Sequence, residues 1–149
     1  MSEHRIHLSW KRTTPDFDYE TYDRTHDMMF EGGQNLKVSA AVQYKGRPEW
    51  TNPEELLAAS LASCHMLTFL AIAAKSRYIV DSYQDEAVAV LEKNSEGQIA
   101  VTKIILRPKV SFGGDHRPDA AKIKELHEKS NRNCMIQNSI KSQVVLEIA

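Results

Sequence analysis

Apolar and polar positions along the chain alternate in two rhythms. Ile6, Leu8 and Trp10 alternate with polar neighbours, which predicts a strand with one buried face. Residues 17–25 are read as its partner. Residues 31–35, Glu-Gly-Gly-Gln-Asn, carry a turn signal, after which Leu36, Val38, Ala40 and Val42 resume the two-residue period. The expectation is an N-terminal meander of three strands, followed by a polar loop over 45–51. Two further strands are expected over 87–92 and 98–106, joined by a turn at 94–97. Residues 109–112 extend the second of them beyond Pro108, and Gly113-Gly114 ends it. Residues 118–129 predict an amphipathic helix with Ile123, Leu126 and Ala120 facing inward. Asn131 or Asn133 can cap a short helix beginning near Cys134, and residues 143–148 close the chain as a strand.

Between these halves lies a segment of a different rhythm. Asn52 is a good N-cap and Pro53 sits where a missing N–H costs nothing. Glu55 completes a capping box with Asn52, and Glu54 adds negative charge beside the helix N-terminus. The helix is expected to run to Lys75, about 35 Å at 1.5 Å per residue. It is apolar nearly all round, so other elements must cover it. Leu56–Ala74 is long enough to raise the question of a membrane span. Ser60, Ser63, His65 and Thr68 within it, and the lack of a second such run, favour a core helix and no membrane partner.

The 149 residues suit a single domain, 1–149, and the mixture of strands and helices predicts an α+β fold. A net charge of −1, with no basic run, offers nothing to nucleic acid. The first dozen residues lack an apolar leader core, which points to the cytoplasm. In that reducing compartment two cysteines are more often catalytic or redox-active than a structural staple.

Those cysteines are the candidate chemistry. Cys64 falls in the middle of the long helix, where an inert core thiol is the plain alternative. Cys134 follows Asn-Arg-Asn near the expected start of a short helix, a position that lowers a thiol pKa. Seventy residues separate them, so only the fold can bring them together. His65 adjoins Cys64 but points about 100° away on a helix, which makes it a hydrogen-bonded core or interface histidine rather than the base for the thiol. His4, His7, His26, His116 and His127 have no ligand spacing, so no metal is expected. The two Gly-Gly pairs are turns rather than phosphate loops, so no cofactor is expected either. Met28, Met29, Phe30, Met66 and Phe69 can line an apolar pocket or pack the core.

The run Asn52-Pro53-Glu54-Glu55-Leu56-Leu57-Ala58-Ala59-Ser60-Leu61-Ala62-Ser63-Cys64 resembles the helix motif of the OsmC/Ohr family, including its ten-residue step from acid to cysteine. Residues 133–140, Asn-Cys-Met-Ile-Gln-Asn-Ser-Ile, resemble that family's second cysteine region, with Met135 where many members have proline. The resemblance spans essentially the whole chain. It implies antiparallel sheets wrapped around long central helices in an intertwined homodimer. It also implies a thiol-dependent peroxidase that reduces organic hydroperoxides to alcohols, an antioxidant activity of oxidative stress. Cys64 would be the peroxidatic thiolate and Cys134 the resolving thiol that forms a disulfide with it. A lipoyl-type dithiol would be the reductant. Glu54 would hold an arginine beside the thiolate: Arg24 first, Arg47 second, with Arg5 and Arg12 too early in the chain. A ten-residue step on a helix advances about 15 Å, so Glu54 is expected to serve the Cys64 of a second subunit. Two other readings of the architecture stand beside this one: a thioesterase-like hydrolase, which has no use for a cysteine pair, and a non-catalytic binding protein.

Overall fold

The computed structural model describes residues 1–149. It is an α+β protein whose residues group into two compact units, Met1–Leu56 and Leu57–Ala149.

In the first unit β1 (Ile6–Ser9), β2 (His26–Phe30) and β3 (Asn35–Val38) form an antiparallel meander. The second strand lies later than the expected 17–25. That segment is a loop, because its polar groups bond locally: the Asp18 carboxylate accepts from the Glu20 N–H at 2.8 Å, and the Tyr22 N–H donates to the Asp18 carbonyl at 3.0 Å. Its aromatic side chains gather around Trp10 instead of alternating across a sheet; Phe17 and Tyr22 lie 5.8 and 6.2 Å from that ring. The β2–β3 turn uses Gly33 at φ 86°, as the Gly-Gly signal predicts. Gly46 has a stricter reason to be glycine. A Cβ there would stand 1.6 Å from the Ala40 carbonyl oxygen.

The helix α1 (Pro53–Lys75) begins as predicted. The Glu55 N–H donates to Asn52 Oδ1 at 2.9 Å, and the Asn52 N–H donates to Glu55 Oε2 at 3.3 Å, a closed capping box. It ends at Lys75, and beyond it Arg77 takes the left-handed conformation at φ 62° and lets the Tyr78 N–H reach the Ala73 carbonyl at 3.0 Å.

The second unit adds two sheets and a second long helix. The strands β5 (Val88–Lys93) and β6 (Ile99–Leu106) pair antiparallel, and β8 (Gln143–Leu146) joins β6 in parallel. The strand β4 (Ile79–Gln84), absent from the sequence reading, pairs antiparallel with β7 (Lys109–Gly113). Residues 109–112 are thus a separate strand rather than an extension of β6, since Pro108 breaks the ladder between them. The helix α2 (Ala120–Asn133) is capped by Asp119, whose carboxylate accepts from the Lys122 N–H at 2.7 Å. Leu126 faces inward and is buried, Ile123 is half-buried, and Ala120 is exposed, contrary to expectation.

One stripe of α1 is buried: Ala58, Leu61, His65, Phe69 and Ala73, at steps of three or four residues. Leu61 and Ala58 pack with Ile104, Leu106 and Cys134. Phe69 and Ala73 pack with Leu126 and the β4–β7 pair. The helix is long and apolar enough to cross a bilayer by length and composition, yet it is seated on a core of its own unit. Its other side is not covered within the chain: Ala59, Ser60, Ser63, Ala71 and Ala74 are exposed, and Leu67 is 60% exposed. Phe69 is the largest fully buried side chain. Phe69→Ala should therefore lower unfolding free energy by about 3–5 kcal/mol, read as a fall in the urea midpoint.

Candidate active site

The two thiols meet in the second unit. Cys64 is half-buried, midway along α1 beside its buried stripe, and packs against the cluster that contains Cys134. Cys134 is fully buried at the C-terminal cap of α2, and both cysteines are free. After it the chain makes a tight turn and a single 3-10 turn over Gln137–Ser139; the short helix expected near Cys134 thus starts later, and Asn131 and Asn133, its expected caps, lie within α2. The Gln137 N–H donates to Cys134 Sγ at 3.4 Å, and the Asn138 N–H donates to the Cys134 carbonyl at 3.1 Å.

The two thiols differ electrostatically. Burial pushes the Cys64 thiol up, but hydrogen bonds to its sulfur outweigh that. The Cys134 side chain and the backbone N–H groups of Ile136 and Met135 stabilise the thiolate, aided by the Thr68 hydroxyl, so Cys64 is held below the ordinary thiol range. Cys134 moves the other way. Burial raises it first, and the neighbouring Cys64 raises it further. The expectation of a lowered pKa at Cys134 is corrected here. The backbone amides beyond Cys134 turn back toward Cys64 as well, and the dry position of Cys134 dominates its own titration. The result is a more acidic and a less acidic thiol side by side.

Three of these contributors escaped the sequence reading. Thr68 could have been found, since four residues on a helix bring it onto the Cys64 turn, within reach of both the sulfur and the Cys64 carbonyl, the acceptor its hydroxyl takes at 2.8 Å. The amides of Met135 and Ile136 leave no side-chain signal. His65 is where the sequence puts it, in the core, bonded to His127.

The first unit holds the remaining candidates. Glu54 lies in the first turn of α1, and its Oε2 is buried without a hydrogen-bond partner. Arg47 is already matched: its guanidinium pairs with Asp23 at 2.9 Å and Glu49 at 3.5 Å, and those acids hold its pKa up. Arg24 has no acid. Its guanidinium donates to the Tyr22 and Tyr19 carbonyls at 2.8 and 2.7 Å and stacks 3.9 Å from the Tyr22 ring centroid. It lines an apolar pocket of about 290 Å³ with Trp10, Phe17, Tyr22, His26 and Pro53. Of the residues expected to line an apolar pocket or pack the core, Met28, Met29, Phe30, Met66 and Phe69, none lines this pocket. Phe69 is core, while Met29 and Phe30 are surface residues.

Fold and site together define an α+β protein with a facing pair of free thiols of unequal acidity. The family profile described as "OsmC-like protein" matches residues 46–149, and the chain belongs to that family. It is similar along its whole length to an OsmC-like protein of unknown function from Vibrio cholerae, with a TM-score of 0.95, 43% identity and 100% of each chain covered. It is 30% identical to the uncharacterised protein YmaD of Bacillus subtilis over 78% of each chain. It is 28% identical to the peroxiredoxin OsmC of Escherichia coli over 65% of each.

Proposed function

We propose that this protein is a thiol-dependent peroxidase acting on organic hydroperoxides. The observation that carries the reading is the meeting of Cys64, held below its ordinary pKa, with Cys134, held above it. A thiolate attacks the terminal oxygen of a hydroperoxide, the O–O bond breaks, and the alkoxide leaves as the alcohol after taking a proton. Cys64 is then a sulfenic acid, and Cys134 condenses with it to a disulfide with loss of water. A dithiol of the lipoyl type reopens the bridge by exchange. The hydrolase reading gives the thiol pair no role, and a purely binding protein would not need two thiols of opposite acidity in contact.

Glu54 and Arg24 complete the reading. A carboxylate oxygen buried without a partner is costly, and a guanidinium is the group that suits it. Of the two candidates Arg24 is the one without an acid. Its place in an aromatic pocket also suits a hydroperoxide with an apolar body. Glu54 precedes Cys64 by about 15 Å of helix, so the carboxylate is assigned to the Cys64 of a second copy. The uncovered face of α1, with Leu67 at its centre, is apolar and lined by small residues, suited to a two-fold contact. The proposed enzyme is therefore a homodimer with two shared sites.

The test is consumption of cumene hydroperoxide by purified protein with dihydrolipoamide or dithiothreitol. Well-folded, reduced protein without turnover would leave the binding reading standing. Glu54→Gln and Arg24→Met should each lower kcat/KM about 10- to 100-fold, the loss of one charged hydrogen bond, whereas Arg47→Met should leave it near wild type. A stable, active monomer in a mass measurement would remove the shared-site proposal.

A further inference from the structure

The buried stripe of α1 carries a polar residue that the peroxidase chemistry does not use. His65 Nε2 lies 3.0 Å from His127 Nδ1 on α2, with the two rings within 3° of parallel and both residues fully buried. The Phe69 ring lies 4.3 Å from the His127 ring, and Tyr83 flanks it at 6.3 Å. The outer nitrogens, His65 Nδ1 and His127 Nε2, have no partner, so the mutual bond is the only one either ring makes. The two histidines also sit at telling places in the chain. His65 follows Cys64 directly, and His127 stands seven residues, about two helical turns, before Cys134.

An apolar contact in this position would tolerate sliding, because packing is not directional. A single hydrogen bond in a dry core does not: a shift of an ångström leaves two imidazoles with no partner at all, and a buried orphan is expensive. The pair therefore fixes one register of α1 against α2, and these are the elements that carry the two sulfurs. We propose that His65 and His127 are positioning residues for disulfide formation, setting the approach of Cys134 Sγ to the Cys64 sulfenic acid.

The inference rests on the peroxidase reading, and it concerns one step of it. In that step the Cys134 sulfur attacks the Cys64 sulfur, an S–S bond forms, and the S–O bond breaks. The departing hydroxide takes the Cys134 proton and leaves as water. No outside oxidant or reductant is needed, and neither histidine exchanges a proton. Condensation is the step most sensitive to this geometry. Attack of Cys64 on a small peroxide depends on α2 only through the Cys134, Met135 and Ile136 groups that favour its thiolate, which tolerate a small shift, whereas condensation needs two sulfurs on different helices in line.

The separation of the two steps supplies the test. Reduced wild type, H65L/H127L and His127→Gln are mixed with one equivalent of cumene hydroperoxide, quenched with an alkylating reagent at intervals, and analysed by mass for sulfenic acid, disulfide and sulfinic acid. The double substitution conserves volume and removes both orphans, so it is expected to fold. Its sulfenic acid should form within about twofold of the wild-type rate, while the disulfide forms about 10- to 100-fold more slowly. Excess peroxide should then drive Cys64 on to the sulfinic acid. His127→Gln, which can still bond to His65 Nε2, should recover most of the disulfide rate. If the double variant does not fold, the same two rates are read in His127→Leu well below its unfolding midpoint. Disulfide formation at the wild-type rate in a folded variant overturns the proposal, as does an equal slowing of both steps. Wild type that forms neither product sinks the peroxidase reading itself, and the inference with it.

Discussion

Replacing Cys64 by serine is expected to abolish turnover of organic hydroperoxides, a loss of about 10³-fold or more and so at least about 4 kcal/mol in barrier. The reason lies in the groups that surround the sulfur. The Cys134 side chain and the amides of Ile136 and Met135 lower the pKa of the thiol, which raises its thiolate fraction at any given pH. The same groups acting on a serine hydroxyl, which starts several pH units higher, leave it protonated. Cys134→Ser separates the two halves of the cycle. The first equivalent of peroxide should still be consumed, since Cys64 keeps the amides that favour its thiolate. The product should then stop at the sulfenic acid, trappable by a sulfenic-specific reagent, with sulfinic acid appearing in excess peroxide. Equal activity of Cys64→Ser and wild type would refute the assignment of the nucleophile. A full wild-type cycle in Cys134→Ser would refute the resolving role.

The second large effect is on stability in acid. Burial pushes His65 down to about 4, and burial together with the neighbouring His65 does the same to His127. In the unfolded chain both return to about 6.5. The folded pKa is the depressed one, so the contribution to stability is fully present above pH 6.5. As pH falls from there toward 4, the unfolded chain binds protons that the folded core refuses. Unfolding free energy should drop by about 3 kcal/mol for each of the two histidines once pH reaches 4. Tyr83 is the titratable group beside the pair, and it stays neutral across this range. Asp85, whose carboxyl is raised by burial, acts in the opposite direction over part of the same range. The clean measurement is therefore a difference: urea midpoints of wild type and H65L/H127L from pH 7.5 to 4.5. The wild type should lose stability faster on acidification. Parallel curves would mean that the buried pair does not resist protonation.

Much of this protein is legible one residue at a time. The capping box at Asn52 and Glu55, the length of α1, the Gly33 turn, the β5–β6 hairpin and the amphipathic α2 all rest on interactions between near neighbours, and they stand where the pattern puts them. The failures have two origins, one local and one distant. Residues 17–25 read as a strand because aromatic residues favour sheets. Here the Asp18 carboxylate and the aromatic cluster around Trp10 fold them back as a loop. The strand β4 was missed because its pairing with β7 lies about 30 residues away along the chain, beyond any local rhythm.

The site divides along the same line. Two cysteines, an N-terminal helix acid and a choice of arginines could be named from the sequence and its family resemblance, because they are residue types with recognisable neighbours. How they are placed and paired was left to the tertiary structure. Whether Cys64 and Cys134 touch depends on how α1 and the end of α2 pack, across seventy residues. Which thiol is the acidic one depends on backbone amides that belong to no particular side chain, and the reading that Cys134 would be acidic was reversed by burial. Which arginine is unpaired depends on Asp23 and Glu49 lying against Arg47 and not against Arg24. His65 and His127 have no shared motif, yet they form a single buried bond. A sequence records what each residue can do, and local spacing decides helices and turns at short range. Acidity, pairing and burial are properties of a place, and the place exists only once distant segments have packed.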